Sequence, residues 1–214
     1  MASRHYAVLS ALILAIGASV AYGSVLTPPQ GPIAPDSWGS CTGCAPVGSG
    51  IFGAGSTDAS VGFVYSEGVF TNDSLNPYGL SGLDFVYSFL NNATSTKLIA
   101  SIAAGNFAGF STDVGYFTSA VFPGGTIAPN TVSRASAGTV AFNLNGFAPG
   151  DQSLVLVIKT NAMSFGPGTL TVVDSAGAAG TAAGLAPVPE PDLVLPAGSL
   201  LVMAAYRRIR VSKA

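Results

Sequence analysis

The chain has 214 residues, 49% hydrophobic and only 8% charged, with a formal net charge of −2. That length holds one domain with room for targeting signals, and so apolar a composition excludes a disordered chain. Between residues 24 and 188 the only cations are Lys97, Arg134 and Lys159, set against eight carboxylates, so this body carries −5 and lacks the cationic patch that nucleic acid needs.

Residues 1–23 read as a secretory signal peptide that would form a short signal helix. Arg4 supplies the positive start, residues 7–20 the apolar stretch, and small residues mark cleavage after Ala21 or after Gly23. Signal peptidase is therefore an expected partner. Cleavage would remove His5, the single histidine of the chain. A mature chain without histidine excludes Ser-His-Asp and Cys-His catalysis and any histidine-ligated metal.

Residues 24–60 are rich in Gly, Pro and Ser and follow neither structural period, so an irregular lead-in is expected. Within it stands Cys41-Thr42-Gly43-Cys44. Redox chemistry in such a motif favours a first thiol at a helix N-terminus, which these flanks do not offer. Zinc would need two further ligands, and no other Cys remains. A haem attachment would need His at position 45, where Ala45 stands. The expectation is a small-loop Cys41–Cys44 disulfide in an oxidising compartment, with no metal and no cofactor.

From residue 61 the text changes to short alternating runs. Val61, Phe63, Tyr65 and Val69 share one parity, as do Leu83, Phe85, Tyr87 and Phe89, then Leu98, Ala100 and Ile102, then Val114 and Tyr116. Val140, Phe142 and Leu144, the continuous run 154–158, and Leu170 with Val172 complete the series. Period two places each set on one sheet face. Turn residues fall between the runs, among them Pro129-Asn130, Asn145-Gly146 and Gly166-Pro167-Gly168. The fold expected over residues 61–174 is all-β: an antiparallel β-sandwich, immunoglobulin-like or jelly-roll.

Few residues in this body invite chemistry. Glu67 shares a face with Tyr65 and Val69, which suits an edge or pocket-rim charge better than an acid catalyst, because glycoside hydrolysis needs two facing carboxylates. Asp113 reads as a turn residue. Asp58, Asp73 and Asp84 are oxygen ligands of the kind calcium takes, without ligand-loop spacing. Asn72-Asp73-Ser74 and Asn92-Ala93-Thr94 match glycosylation sequons that the bacterial-type signals make incidental. Among Phe63, Tyr65, Tyr78, Tyr87, Phe110 and Tyr116, any that are exposed could stack on sugars. Residues 175–187, rich in Ala and Gly, read as a flexible stalk.

The C-terminus has three parts in order: Pro189-Glu190-Pro191, the apolar run 193–206, and Arg207, Arg208 and Arg210 with Lys213. The 14 residues of the run would span about 21 Å as a helix, short of the ~30 Å bilayer core, which suits a temporary transmembrane anchor. The arginines form a cytoplasmic basic stop. These residues resemble the sorting domain of PEP-CTERM proteins. The resemblance implies an exosortase substrate of a polysaccharide-producing bacterium, processed near Pro189-Glu190-Pro191. The expected protein is exported across the inner membrane, held briefly by its C-terminus, and delivered to the outer surface or extracellular matrix. Its body is expected to be non-catalytic, either structural or a binder of extracellular polysaccharide. The alternative is an exported, glycosidase-like hydrolase with a carboxylate pair.

Overall fold

The computed structural model describes residues 25–119 and 124–189. Among them every regular element is a strand. In chain order these are β1 (Val25–Leu26), β2 (Gln30–Ile33), β3 (Asp36–Trp38), β4 (Ala45–Pro46), β5 (Ile51–Ser56), β6 (Gly62–Thr71) and β7 (Asp84–Asn91). They continue as β8 (Ile99–Ala104), β9 (Thr112–Phe117), β10 (Pro129–Arg134), β11 (Val140–Phe147), β12 (Val155–Thr160), β13 (Phe165–Asp174) and β14 (Ala179–Pro187).

The alternating runs become strands because each offers one apolar face to bury. Two sheets result. The first has the order β1-β9-β12-β7-β6-β4, with β3 added alongside β9 and β5 alongside β6. The second has the order β14-β13-β8-β11-β10-β2. All pairings are antiparallel except β3 with β9. The sheets pack face to face as a sandwich. Phe63, Tyr65, Phe85, Tyr87, Phe89 and Ile158 from the first meet Ile102, Val132, Phe142, Leu170 and Val172 from the second. Each such side chain stabilises the fold by roughly 1.5–3 kcal/mol on burial. The rings interlock in paired contacts, Tyr65 on Phe89 at 5.7 Å and Phe85 edge-on to Phe107 at 5.3 Å.

Several expectations fail, each for a backbone reason. Residues 24–60 are not irregular: they supply five short strands. Backbone pairing to β6, β9 and β10 holds them, and this needs no side-chain period. Residues 175–187 are not a stalk. β14 pairs with β13 through nine consecutive positions, from Val173↔Ala179 to Phe165↔Pro187. Its small side chains permit close approach: a Cβ on Gly180 would overlap the Ser56 carbonyl, and one on Gly184 would lie 2.8 Å from Leu170. Pro129-Asn130 opens β10, and Asn145-Gly146 lies inside β11, where the register slips between Asn143 and Phe147. Gly146 takes φ +76°, so this break is a bulge rather than a turn. Gly166-Pro167-Gly168 lies in β13 before its pairing with β8 begins at Leu170, and there proline is tolerated.

The first sheet also buries much of its outer face. Val86, Phe117, Val155 and Val157 form a second apolar cluster there, covered by Trp38, Cys41 and Phe70. The N-terminal segment is thus a lid over one end of that face.

Candidate functional site

Under this lid lies a polar cluster fixed by strand register. Lys159 of β12 stands opposite Asp84 of β7 on one side and Asp113 of β9 on the other. All three are buried. The Lys159 ammonium reaches the loop after β6, where it donates to Asp73 Oδ2 at 2.6 Å and to the Leu75 carbonyl at 3.1 Å. It also sits 4.2 Å from the Trp38 ring centroid. Asn76 completes the arrangement. Its amide nitrogen donates to Asp84 Oδ1 at 2.8 Å and to the Thr160 carbonyl at 3.3 Å, while its oxygen accepts from Tyr78 N–H at 2.9 Å.

The cysteine loop closes over this cluster. β4 pairs with the end of β6, and Ser74 N–H donates to the Thr42 carbonyl at 3.3 Å. Cys41 and Cys44 are joined as a disulfide, with Cα atoms 5.7 Å apart. Cys41 Sγ lies 3.9 Å from Asp84 Oδ2. One sulfur or oxygen from each of Cys41, Cys44, Asp73 and Asp84 falls within 4.8 Å of the others. Beside the disulfide a hollow of about 150 Å³ is lined by both cysteines and by Phe70, Val86, Phe117 and Val155.

Burial governs the protons here. Removal from water, together with the hydrogen bond it shares with Asp73, pushes Asp84 up to about 8 against the opposing pull of Lys159. Burial acts on Asp73 too, but the hydrogen bonds from Asp84 and Lys159 outweigh it and hold Asp73 below the ordinary carboxylate range. Asp84 is therefore the neutral partner at pH 7 and Asp73 the anion that pairs with Lys159. Asp113 is raised to about 6 by burial and by Asp36.

Glu67 is not at a rim. It points between the sheets, fully buried, and its two carboxyl oxygens accept the Leu185 N–H at 3.0 and 2.9 Å. Burial raises it to about 8. Tyr65 donates to the Ala183 carbonyl at 2.5 Å, so two side chains of β6 satisfy the outer backbone edge of β14. Asp113 lies within β9 rather than in a turn. Asp58 does not join Asp73 and Asp84. It belongs to a surface cluster with Lys97 at 3.6 Å, itself 3.4 Å from Asp174.

The aromatics are also redistributed. Phe63, Tyr65 and Tyr87 are core, and Tyr78, Phe110 and Tyr116 are half-buried. Among the described residues the exposed ring is Phe52, 78% accessible on β5. It borders an open groove of about 570 Å³ at the uncovered end of the outer face, with Val64, Leu90, Ser66, Ser88 and Gln152. Gln152 donates to Ser88 Oγ at 3.0 Å across the groove.

Of the residues expected to serve in sorting, Pro189 is the last described, exposed just past β14. Ala21, Gly23, Glu190, Pro191, Arg207, Arg208 and Arg210 lie outside the described residues. Sequence reasoning missed the disulfide's surroundings because Asp84 and Lys159 are 43 and 118 positions away from Cys41. A lysine directly after the apolar run 154–158 is the available signal. No protein-family model, curated protein or solved structure matches the chain.

Proposed function

We propose that this is an exported, non-catalytic surface or matrix protein of a bacterium, sorted by an exosortase, whose β-sandwich binds extracellular polysaccharide. The observation that carries the sorting half is the ordered C-terminus, Pro189-Glu190-Pro191, apolar run and arginines, beginning where β14 stops. Intact-mass analysis of the protein from its host, with and without the exosortase, tests it. A mature species lacking both ends supports the reading, and an unchanged C-terminus in both strains overturns it.

For the binding half, the support is the Phe52 ring beside the Ser66, Ser88 and Gln152 side chains. An exposed aromatic face with hydroxyl and amide groups at its edge suits a sugar ring, whose C–H face stacks while its hydroxyls hydrogen-bond. Affinity electrophoresis in the host polysaccharide should show retardation that Phe52→Ala abolishes. Equal mobility of the two proteins rejects that site. The strand order, in which the chain crosses between sheets after β1, β2, β7, β8, β9, β11 and β12, favours a jelly-roll over an immunoglobulin-like sandwich. The hydrolase alternative needs an accessible carboxylate pair; the adjacent Asp73 and Asp84 are both buried, and Asp73 is paired with the buried Lys159.

A further inference from the structure

A disulfide kept only for stability needs no proton donor, yet this one has a buried carboxyl against one of its sulfurs. Both cysteines are half-buried, and it is Cys41 that packs on the outer-face cluster of Val86, Phe117, Val155 and Val157. Its Sγ lies 3.9 Å from Asp84 Oδ2. Asn76 settles which oxygen carries the Asp84 proton. Its nitrogen faces two acceptors, Asp84 Oδ1 and the Thr160 carbonyl, and its oxygen faces the Tyr78 N–H, so the amide orientation is fixed. Oδ1 is thus an acceptor, which leaves Oδ2, the oxygen beside Cys41, for the proton that Asp84 shares with Asp73 at rest. Behind Asp84 stand the Asp73 carboxylate and the Lys159 ammonium, with Asp113 across from Lys159. The ammonium would steady an Asp84 carboxylate once its proton had left. The apolar hollow opens at the disulfide itself.

We propose that Cys41–Cys44 is an exchangeable, redox-active disulfide, with Asp84 as proton donor to Cys41 and the adjoining hollow as the seat of an incoming dithiol. The thiolate of that dithiol attacks Cys44 Sγ and forms a mixed disulfide. The Cys44–Cys41 bond breaks, its electron pair leaves on Cys41 Sγ, and Asp84 protonates that sulfur. The second thiolate of the dithiol then displaces Cys44, which takes a proton from water. Two electrons pass from the dithiol to the cysteine pair, and the dithiol leaves as a disulfide. The helix N-terminus that usually activates such a motif is replaced by a carboxyl–carboxylate–ammonium chain. A divalent metal on the same four side chains is disfavoured, because the ammonium already occupies the position of the cation and the sulfurs are bonded to each other.

The test uses the full-length chain with dithiothreitol as the dithiol, and the single tryptophan as reporter. Trp38 lies in the same cluster as Cys41, so its emission should rise on reduction while the far-ultraviolet circular dichroism stays constant. Asp84→Asn preserves the shape and hydrogen bonds of the neutral acid but has no proton to give. Near pH 6.5 it should slow reduction about tenfold or more, within the range for general acid catalysis. The ratio of parent to variant rate should fall towards one as pH passes about 8, where Asp84 itself ionises. With glutathione disulfide as probe, the Cys41→Ala protein should form a mixed disulfide about tenfold faster than Cys44→Ala, because Cys41 is the sulfur packed on the apolar cluster. Reduction that occurs only on unfolding, a parent-to-variant ratio flat across pH, or equal rates for the two cysteine variants would each overturn the assignment.

Discussion

Replacing Glu67 by Gln isolates one buried proton and its effect on stability. In the folded chain the carboxyl is raised from 4.5 to about 8, chiefly by burial, with the Leu185 N–H offsetting part of the rise. An acid whose folded pKa lies above its unfolded value is neutral in the fold and charged once unfolded. Stability is therefore lost as pH rises from the unfolded pKa to the folded one. For this interval the loss is about 1 kcal/mol at pH 5 and about 4 kcal/mol at pH 8, a change of about 3.5 kcal/mol between them. Glutamine keeps an oxygen for the Leu185 N–H and cannot titrate. Urea unfolding at pH 5 and pH 8 should show the parent losing about 3.5 kcal/mol more than Glu67→Gln across the interval, with equal m-values. Asp84 titrates in both proteins and drops out of the comparison. Parallel pH profiles for the two would refute the placement of a protonated Glu67 between the sheets.

Two further perturbations probe other parts of the fold. Lys159→Met strands the buried Asp73 carboxylate and should cost about 3–5 kcal/mol at pH 8 by urea unfolding; the cost should shrink towards pH 4, as Asp73 can then fold protonated, and a pH-independent loss under 1 kcal/mol would contradict the buried pair. Ending the chain at residue 178 deletes β14, exposing the β13 edge and removing the Leu185 N–H from Glu67. Circular dichroism should then show an unfolded or aggregated chain at 25 °C, whereas a stalk could be cut with no change.

The strands that period two announces are those whose register is set by apolar side chains. β6, β7 and β12 each present large residues to the interior, so their faces are written in the text. β14 is invisible to that reasoning. Its Ala and Gly side chains carry no period, and what places it is backbone pairing to β13 plus carboxyl and phenol groups on β6, 118 residues earlier. β10 is hidden for a related reason: its inward residues include Arg134, which is buried on the carbonyls of Leu26 and Phe107 and on the Thr112 hydroxyl. The same limit applies to the site. Both cysteines are plain in the sequence, but their chemistry depends on Asp84 and Lys159, which only the pairing of β7 with β12 brings together.

That β14 is a strand also alters what the proposed sorting signal would have to do. Val188 is still held by the fold: its N–H donates to the Ser164 carbonyl at 3.1 Å and its carbonyl accepts from Ser164 Oγ at 3.0 Å. Leu193 opens the apolar run five residues later. Fully extended, that interval reaches at most about 17 Å. On the sorting function proposed above, a sandwich tethered so closely would lie at the membrane surface, and a membrane protease acting at Pro189-Glu190-Pro191 would work within a few residues of a folded edge strand. Steric exclusion should then limit processing. Inserting twelve Gly and Ser residues between Val188 and Pro189 adds a typical reach of about 20 Å and leaves β14 intact. Pulse-chase analysis in the host should show the mature species forming several-fold faster from the insertion variant. An unchanged or slower rate would mean that the cut is made without hindrance from the folded body, and that the short tether is not the controlling feature.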